Sequence, residues 1–192
     1  MEHTKRRPTI LLLTLSASDE SRSRKSLPIL ISELSRCGAA PEHVDVRSLP
    51  PVWVDDRDQD EFPSEYGDLF TRVQVADAVV LILPIYCYTV SSPAKALTEV
   101  LGDAFSDKPV GFVTAAGSPR SHLAVRDLIA SMLFEQATIC FPVTVQVTKE
   151  SFVDGELDGE CIERLKVFAR DFLRFTTGLR QYCETRASRE EE

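Results

Sequence analysis

The stretch from Ile10 to Ser26 constrains the fold of this 192-residue chain more than any other. It opens on an unbroken apolar run, Ile10 to Leu13, which is too short for a buried helix and is typical of a parallel strand covered on both faces. A turn crowded with serine, arginine and lysine follows, and a helical pattern begins directly after it. This order of strand, turn and helix predicts the first unit of an α/β fold.

The turn after this strand has the composition of an anion site. Backbone N–H groups at a helix N-terminus point outward, the helix dipole favours negative charge, and hydroxyls with a guanidinium complete the shell. The turn lacks G-x-x-x-x-G-K-[ST] and G-x-G-x-x-G, so it predicts neither a triphosphate P-loop nor the usual dinucleotide site. We interpret it as a site for one terminal phosphate, as on FMN. The alternative is a solvated, serine-rich helix cap.

Short apolar runs and helical patterns alternate along the rest of the chain. Strands are predicted near residues 9–15, 43–47, 78–83, 109–114 and within 138–147. Helices are predicted near residues 26–36, 64–75, 94–101, 123–136 and 159–177. The alternation predicts an α/β doubly wound parallel sheet with helices on both faces. We expect one domain over residues 9–178, between a flexible leader (1–8) and a charged C-terminal tail (179–192).

Three loops of this predicted sheet follow the carboxyl ends of parallel strands, so they share one edge. Ligands of such folds bind at this edge. They are residues 16–26, 84–93 and 115–122, and all are rich in small, polar or aromatic residues. In the second loop, Tyr86 and Tyr88 either pack against a flat ring or cover the sheet edge. In the third, Arg120 is a candidate contact for the phosphate of NADPH and His122 for flavin or substrate. A lone arginine or histidine in a surface loop more often does neither.

Composition excludes several classes of protein. A formal net charge of −8 argues against a general nucleic-acid binder, and no apolar run is long enough to span a bilayer. Five cysteines without a C-x-x-C pair predict reduced thiols, and by default a cytoplasmic location. The acidic residues between 55 and 61 lack the spacing of a calcium loop, so no metal site is expected.

Three motifs together resemble the NADPH-dependent FMN reductase family of flavodoxin-like proteins over roughly residues 9–147. They are LTLSASDESRSRKSL after the first strand, PIYCYTVSSPAKALTEVL after the third and AAGSPRSHLAVRDLIASML after the fourth. The closest resemblance is to small FMN reductases that supply reduced flavin to partner monooxygenases. It implies a flavodoxin-like five-stranded sheet in the order 2-1-3-4-5 and a homodimer or homotetramer.

The resemblance also implies which residues hold the flavin. The FMN phosphate would be bound by Ser16, Ser18, Ser23, Arg24 and Ser26. The edge of the ring would be lined by Pro84, Ile85, Tyr86, Cys87 and Tyr88. Gly117, with its neighbours Ser118 and Arg120, would close over the ring. The sequence departs from the family pattern at Ala17, where members have Gly, at Cys87, where many have Asn, and at Ala115–Ala116, which replace glycines.

The expected function is therefore an NAD(P)H-dependent FMN reductase, with NADPH or NADH as the hydride donor. No catalytic side chain is predicted, because the cofactor carries the chemistry.

A flavoenzyme that uses bound FMN on a committed organic substrate stays open as an alternative, whether a quinone or azo reductase or a biosynthetic dehydrogenase. So does a flavodoxin-like binding module that has lost flavin. A phosphoacceptor signalling domain is disfavoured, since Ser16 and Pro84 occupy the strand ends where it needs acids. The expected partners are flavin and nicotinamide nucleotides, other copies of the chain and, by the resemblance, a monooxygenase, but neither nucleic acid nor a membrane.

Overall fold

The protein folds around a parallel sheet in its computed structural model, which describes residues 6–55 and 57–190. Its parallel strands are β1 (Thr9–Thr14), β2 (Ala40–Asp45), β3 (Ala78–Tyr86), β5 (Pro109–Ala115) and β6 (Ile139–Val147). They lie in the order β2-β1-β3-β5-β6. A two-residue strand, β4 (Thr89–Val90), pairs antiparallel with the end of β3. Counting the parallel strands alone, this is the predicted order 2-1-3-4-5, which is confirmed.

Helices cover both faces of the sheet, as predicted. On one face lie α1 (Leu27–Arg36) and α5 (Gly159–Glu190). On the other lie α2 (Ser64–Val75), α3 (Ser92–Val100) and α4 (Arg126–Glu135). The side chains of β1 alternate between the two cores, and β3 is buried along almost its whole length. Burial on both faces explains why these strands read as continuous apolar runs rather than as alternating ones.

Two element boundaries differ from the sequence-based expectation. The second strand was predicted at residues 43–47, but β2 begins at Ala40 and ends at Asp45. Asp45 instead caps a short 3-10 turn, because its carboxylate accepts the backbone N–H of Arg47 at 3.0 Å. The last helix was expected to end near residue 177, but α5 continues through Gly178 to Glu190. Residues 1–5 of the predicted leader and 191–192 of the predicted tail lie outside the described residues.

The last helix packs closely on the sheet at a glycine. A Cβ atom on Gly111 of β5 would lie 2.9 Å from Cζ of Phe168 and 3.1 Å from Phe172, so a larger residue would push α5 away. The rings of Phe168 and Phe172 stack on one another, and Phe141 of β6 meets both edge-on. Phe168 and Phe172, four residues apart on one face of α5, are therefore part of the core.

A buried carboxylate joins α1 to α5. Glu33, whose side chain is 6% exposed, accepts hydrogen bonds from Arg36 at 2.6 Å and from Arg170 at 3.0 Å. The hydrogen bond from Arg36, opposed by burial and supported by Arg170, lowers the pKa of Glu33 to about 2. The carboxylate is therefore ionised in the folded protein at all but the lowest pH.

Replacing Glu33 with Gln should lower the free energy of unfolding at neutral pH by about 1–3 kcal/mol, because two guanidinium groups lose a charged acceptor. The folded pKa lies below the ordinary value of 4.5, so the ionised carboxylate stabilises the fold above that value. The difference between the variant and the unaltered protein should shrink as the pH falls from 4.5 toward about 2. Urea unfolding at several pH values measures it.

The matched control is Glu163→Gln, because Glu163 pairs with the same Arg170 but its side chain is 56% exposed. We expect a loss of at most about 1 kcal/mol there. Equal losses for the two variants, or a Glu33 effect that does not depend on pH, would contradict the role given to the buried carboxylate.

Candidate functional site

The three loops singled out in the sequence are joined to one another at the carboxyl edge of the sheet. The buried hydroxyl of Ser91, at the end of the second loop, donates to the carbonyl oxygen of Leu15 at 2.9 Å. The hydroxyl of Tyr88 donates to the carbonyl oxygen of Arg120 in the third loop at 3.0 Å. The second loop is thus bonded to Leu15, directly before the first loop, and to the third loop.

The guanidinium of Arg24 lies inside the first loop. It donates to the carbonyl oxygens of Ser16 at 2.8 Å, Ser18 at 2.9 Å and Asp19 at 3.3 Å, and its Nε donates to Asp45 at 3.0 Å. Its side chain is only 17% exposed. These bonds draw the carbonyl oxygens of the loop inward. In this arrangement Arg24 shapes the loop, whereas the family resemblance led us to expect that it contacts the phosphate.

Asp45 anchors this arginine from the end of β2. It also accepts Nη2 of Arg47 at 2.8 Å, and Arg47 in turn pairs with Asp19 of the first loop at 2.8 Å. Burial raises the pKa of Asp45, but hydrogen bonds from Arg47 and the charges of Arg24 and Arg47 lower it to about 2. The sequence analysis missed Asp45 as a site residue. Its position was a usable signal, because it ends the strand that neighbours β1 and lies opposite Thr14.

The hydroxyls of the first loop differ in how accessible they are. Ser18 is exposed, whereas Ser16, Ser23 and Ser26 are buried. Ser16 accepts the backbone N–H of Ser18 at 3.3 Å, and Ser23 bonds to the hydroxyl of Ser21 at 2.9 Å. Within the described part of the chain, the buried hydroxyl of Ser26 has no hydrogen-bond partner. An orphaned buried hydroxyl is uncommon and calls for a physical reason.

A polar depression of about 510 Å³ lies beside this loop. The basic and hydroxyl groups that line it are those of Ser21, Arg22, Lys25 and Lys149. Asp19 and Glu20 line it too, and Asp19 is paired with Arg47. Arg22 and Lys149 beside a helix start suit a phosphate, and so does Lys25, whose ammonium pairs with the exposed carboxylate of Glu156 at 3.0 Å. Ser21, Arg22 and Lys25 belong to the turn that the sequence predicts as the anion site, although they are not among the residues that the family resemblance assigns to the phosphate. Lys149 was not predicted, but it follows the fifth predicted strand and so belongs to the same edge.

The second loop contains a strained turn. Cys87 and Tyr88 have φ angles of 49° and 61°, which L-residues with side chains rarely adopt. They form the two-residue tip of the β3–β4 hairpin, where a turn of this kind requires positive φ at both positions. The turn leaves the rings of Tyr86 and Tyr88 more than half exposed, while Pro84 and Ile85 are buried in β3. Cys87 is exposed as well, so three of the five candidate ring contacts are open to a ligand through their side chains.

The third loop is open at Gly117, where an added Cβ would meet nothing within 4 Å. The carbonyl oxygen of Ser118 accepts a hydrogen bond from Nε2 of Gln146 at 3.3 Å. The hydroxyl of Ser118 accepts one from the backbone N–H of Arg120 at 3.2 Å. The side chains of Arg120 and His122 are exposed. Ser118 is thus held in place, and Arg120 lies at the surface beside Tyr88.

The remaining features of the described residues concern metals, membranes and thiols. No group of three or more His, Cys, Asp or Glu side chains there could hold a metal ion. No described helix is both long enough and apolar enough to cross a bilayer. Cys37, Cys87, Cys140 and Cys161 are free thiols, and the side chain of Cys183 is outside the described part.

A parallel sheet in this order, with its loops gathered at the carboxyl edge, defines the class of flavodoxin-like proteins. Within that class, the chain belongs to the NADPH-dependent FMN reductase family, whose sequence profile matches residues 8–151. The resemblance drawn from the three motifs is therefore confirmed. Members of this family are NAD(P)H-dependent flavin oxidoreductases, so the protein is placed among the flavoenzymes.

Several known proteins are similar to this chain in sequence or in fold. The chain is 26% identical over 147 residues to the NADH:(hydroxy)cinnamate reductase subunit CrdA of Vibrio ruber, covering 70% of this chain and 71% of that protein. Its fold is similar to that of an oxidoreductase from Corynebacterium diphtheriae, with a TM-score of 0.72, 17% identity and coverage of 90% and 98% of the two chains. FerB, a flavoenzyme NAD(P)H:(acceptor) oxidoreductase from Paracoccus denitrificans, is similar with a TM-score of 0.72, 19% identity and coverage of 89% and 98%.

Relieving the strained turn should stabilise the protein. Cys87→Gly places the residue that best tolerates positive φ at a position with φ of 49°, so we expect the free energy of unfolding to rise by about 0.5–1 kcal/mol. Cys37→Gly is the matched control, since Cys37 has an ordinary φ of −85° and should lose stability or stay unchanged. Urea unfolding measures both. A loss of stability in Cys87→Gly would mean that the turn is not strained.

Proposed function

We propose that this protein reduces FMN with NAD(P)H, and that the three joined loops at the carboxyl edge of the sheet hold the flavin. The observation that carries the proposal is the family match over residues 8–151, together with the hydrogen bonds that join these loops. When bound, FMN supplies the capacity to accept a hydride from NAD(P)H. The protein's part is to bind and orient the two nucleotides and to keep water from the reacting face.

The first loop is the proposed phosphate site. Arg24 holds three of its carbonyl oxygens inward, and this supports a loop whose backbone N–H groups are available to an anion. The exposed Ser18 and the cations Arg22 and Lys25 supply further donors at the helix start. A small movement of the loop onto a phosphate would also give the hydroxyl of Ser26 the acceptor that it lacks. Ser16 and Ser23 contribute by shaping the loop from inside.

The second and third loops are the proposed ring site. The exposed rings of Tyr86 and Tyr88 offer apolar faces, and the strained turn at Cys87 presents its backbone to a ligand. Gly117 leaves room for close approach, with Ser118 and Arg120 at its side. Pro84 and Ile85 support the turn from within β3. No side chain is assigned as an acid or base, because hydride transfer between two bound rings requires orientation above all.

We propose further that the protein works as a homo-oligomer in the cytoplasm. Large apolar side chains are exposed on its surface, among them Phe134 at 86% and Leu133 at 49% on α4. Exposed apolar patches of this kind are typical of protein interfaces. The free thiols found in the described residues support a reducing compartment. A monooxygenase that receives the reduced flavin is the expected partner.

A committed organic acceptor is the second candidate function. It is favoured by the relatives, since the Paracoccus protein is named for reduction of an acceptor and the Vibrio protein for a (hydroxy)cinnamate. The two functions differ in whether FMN leaves the protein. An FMN reductase releases reduced flavin, whereas an enzyme with a committed acceptor retains it.

The decisive experiment follows flavin absorbance without oxygen. We expect apo-protein with stoichiometric FMN to bleach the visible flavin band when NADPH or NADH is added, and reduced FMN to pass through an ultrafiltration membrane that retains the protein. Reduced flavin that stays with the protein would favour the committed-acceptor function. Absence of both FMN binding and bleaching would refute the proposal.

A second prediction tests the phosphate site alone. Replacing Arg24 with Met removes its four hydrogen bonds to the loop and to Asp45, so the dissociation constant for FMN should rise by about 10–100-fold. Binding of riboflavin, which has no phosphate, should change by less than about threefold. Quenching of flavin fluorescence measures both ligands.

Arg126→Met is the control for this prediction, because Arg126 begins α4 and lies outside the first loop. It should leave both dissociation constants unchanged. Equal weakening of FMN and riboflavin by Arg24→Met would show that this arginine supports the fold in general. An unchanged affinity for FMN would place the phosphate elsewhere.

A further inference from the structure

A pocket of about 270 Å³, which we call the amino-edge pocket, lies at the edge of the sheet opposite the candidate flavin site. It is bounded by the residues before β1, by the end of α1 and by α5 between Leu173 and Gln181. Pro8 and Gly38 line it and come just before β1 and β2, which places it at the amino ends of these strands. Its volume is just below the range of about 300–1,000 Å³ that is usual for drug-sized ligands, so it suits a small molecule.

Arginine side chains dominate the polar part of this lining. Arg6, Arg7 and Arg180 all line the pocket. Arg6 and Arg180 share the carboxylate of Asp77, at 2.7 Å and 3.5 Å. In the part of the chain that the structure describes, Arg7 donates only to backbone carbonyl oxygens. The charge of Arg7 is therefore not neutralised by an ion pair, although the whole chain has a formal net charge of −8.

The guanidinium of Arg7 is held in place but is only partly used. Its Nε donates to the carbonyl oxygen of Gly38 at 3.2 Å, and its Nη2 donates to that of Ala39 at 2.5 Å. Two of its five N–H donors are thus engaged, and the two on Nη1 and one on Nη2 remain for a ligand. Because the side chain is already fixed, little conformational entropy is lost when it binds an anion.

The α5 side of the pocket is apolar or has its hydroxyls engaged. Leu173 is apolar, and so is Pro8 across the pocket. The hydroxyls of Thr176 and Thr177 donate to carbonyl oxygens of their own helix, at 3.0 Å and 2.8 Å. An open guanidinium beside apolar groups suits a molecule that has one anionic group and a compact apolar body. A carboxylate matches the fork of a guanidinium.

We infer that the amino-edge pocket binds a small organic carboxylate with a compact apolar body. The carboxylate accepts the open N–H donors of Arg7, and the apolar body lies against Pro8 and Leu173. The pocket and the candidate flavin site lie at opposite ends of the strands, so this inference does not depend on the proposed function. A bound molecule would contact three elements of the fold at once and would stabilise the folded state by mass action.

Isothermal titration calorimetry of the full-length protein with benzoate, at constant ionic strength, tests the inference. We expect one site per chain with a dissociation constant of about 1 mM or lower. Benzamide has nearly the same shape but no charge, and it should bind at least about tenfold more weakly. Saturating benzoate should leave the dissociation constant for FMN, read from flavin absorbance, within about twofold.

Cys37 reports where the ligand lies, because this exposed thiol lines the pocket. Benzoate at ten times its dissociation constant should slow the alkylation of Cys37 by iodoacetamide about fivefold or more, since only the unliganded fraction reacts freely. Cys87 is also exposed but lies at the opposite edge of the sheet, so its alkylation rate should not change. Peptide mass spectrometry follows both thiols in one sample.

Two variants test the position of the site. Arg7→Met removes the open donors and should weaken benzoate binding at least about tenfold. Thr177→Phe keeps Arg7 but fills the pocket from α5, and it should weaken binding to a similar extent. Arg174→Met is the matched control, because Arg174 is also on α5 but its side chain is 80% exposed and does not line the pocket. It should leave benzoate binding unchanged.

Three results would overturn the inference. The first is benzamide that binds as tightly as benzoate, which would mean that the pocket does not recognise charge. The second is benzoate binding that persists in Arg7→Met or in Thr177→Phe when circular dichroism shows the variant to be folded. The third is protection of Cys87 in place of Cys37, which would place the benzoate at the carboxyl edge.

Discussion

The candidate site depends on the hydrogen bonds that the guanidinium of Arg24 donates. Its donors hold the carbonyl oxygens of the first loop from inside, and its other contact is Asp45 at the end of the neighbouring strand. Both side chains are 17% exposed, so the ion pair is partly desolvated. Its hydrogen bonds and charges therefore interact more strongly than they would at a fully exposed surface. The loop is therefore shaped before any ligand arrives, and this would preorganise the proposed phosphate site.

The sheet beneath gives this loop a rigid base. Two cores cover the opposite faces of β1 and β3, so the strand ends that carry the loops cannot shift independently. Gly111 lets the last helix approach one face closely, and Glu33 ties that helix to α1, which begins at the first loop. The strain of the hairpin tip at Cys87 and Tyr88 is tolerated because the rest of the edge is fixed.

Much of this fold could be predicted from the sequence, because strands buried on both faces leave continuous apolar runs and the loops between them are rich in serine, glycine and aromatic residues. The exceptions have physical reasons. The start of β2 carries no alternation that would reveal it, and Gly178 does not end α5 although glycine is a poor helix former. The acceptors of the Arg24 guanidinium could not be predicted either, since a guanidinium can donate to a carbonyl oxygen as well as to a phosphate. The amino-edge pocket is lined by residues from three distant parts of the chain, so no local pattern encodes it.

The measurement that tests the central claim most directly is a crystal structure of the complex with FMN. The account predicts that the phosphate lies at the first loop, within hydrogen-bond distance of backbone N–H groups between residues 17 and 25, while Arg24 keeps its bonds to the carbonyl oxygens. The isoalloxazine ring should lie against Tyr86 or Tyr88. A phosphate bound away from this loop, or an Arg24 that has left the carbonyl oxygens to contact it, would contradict the account.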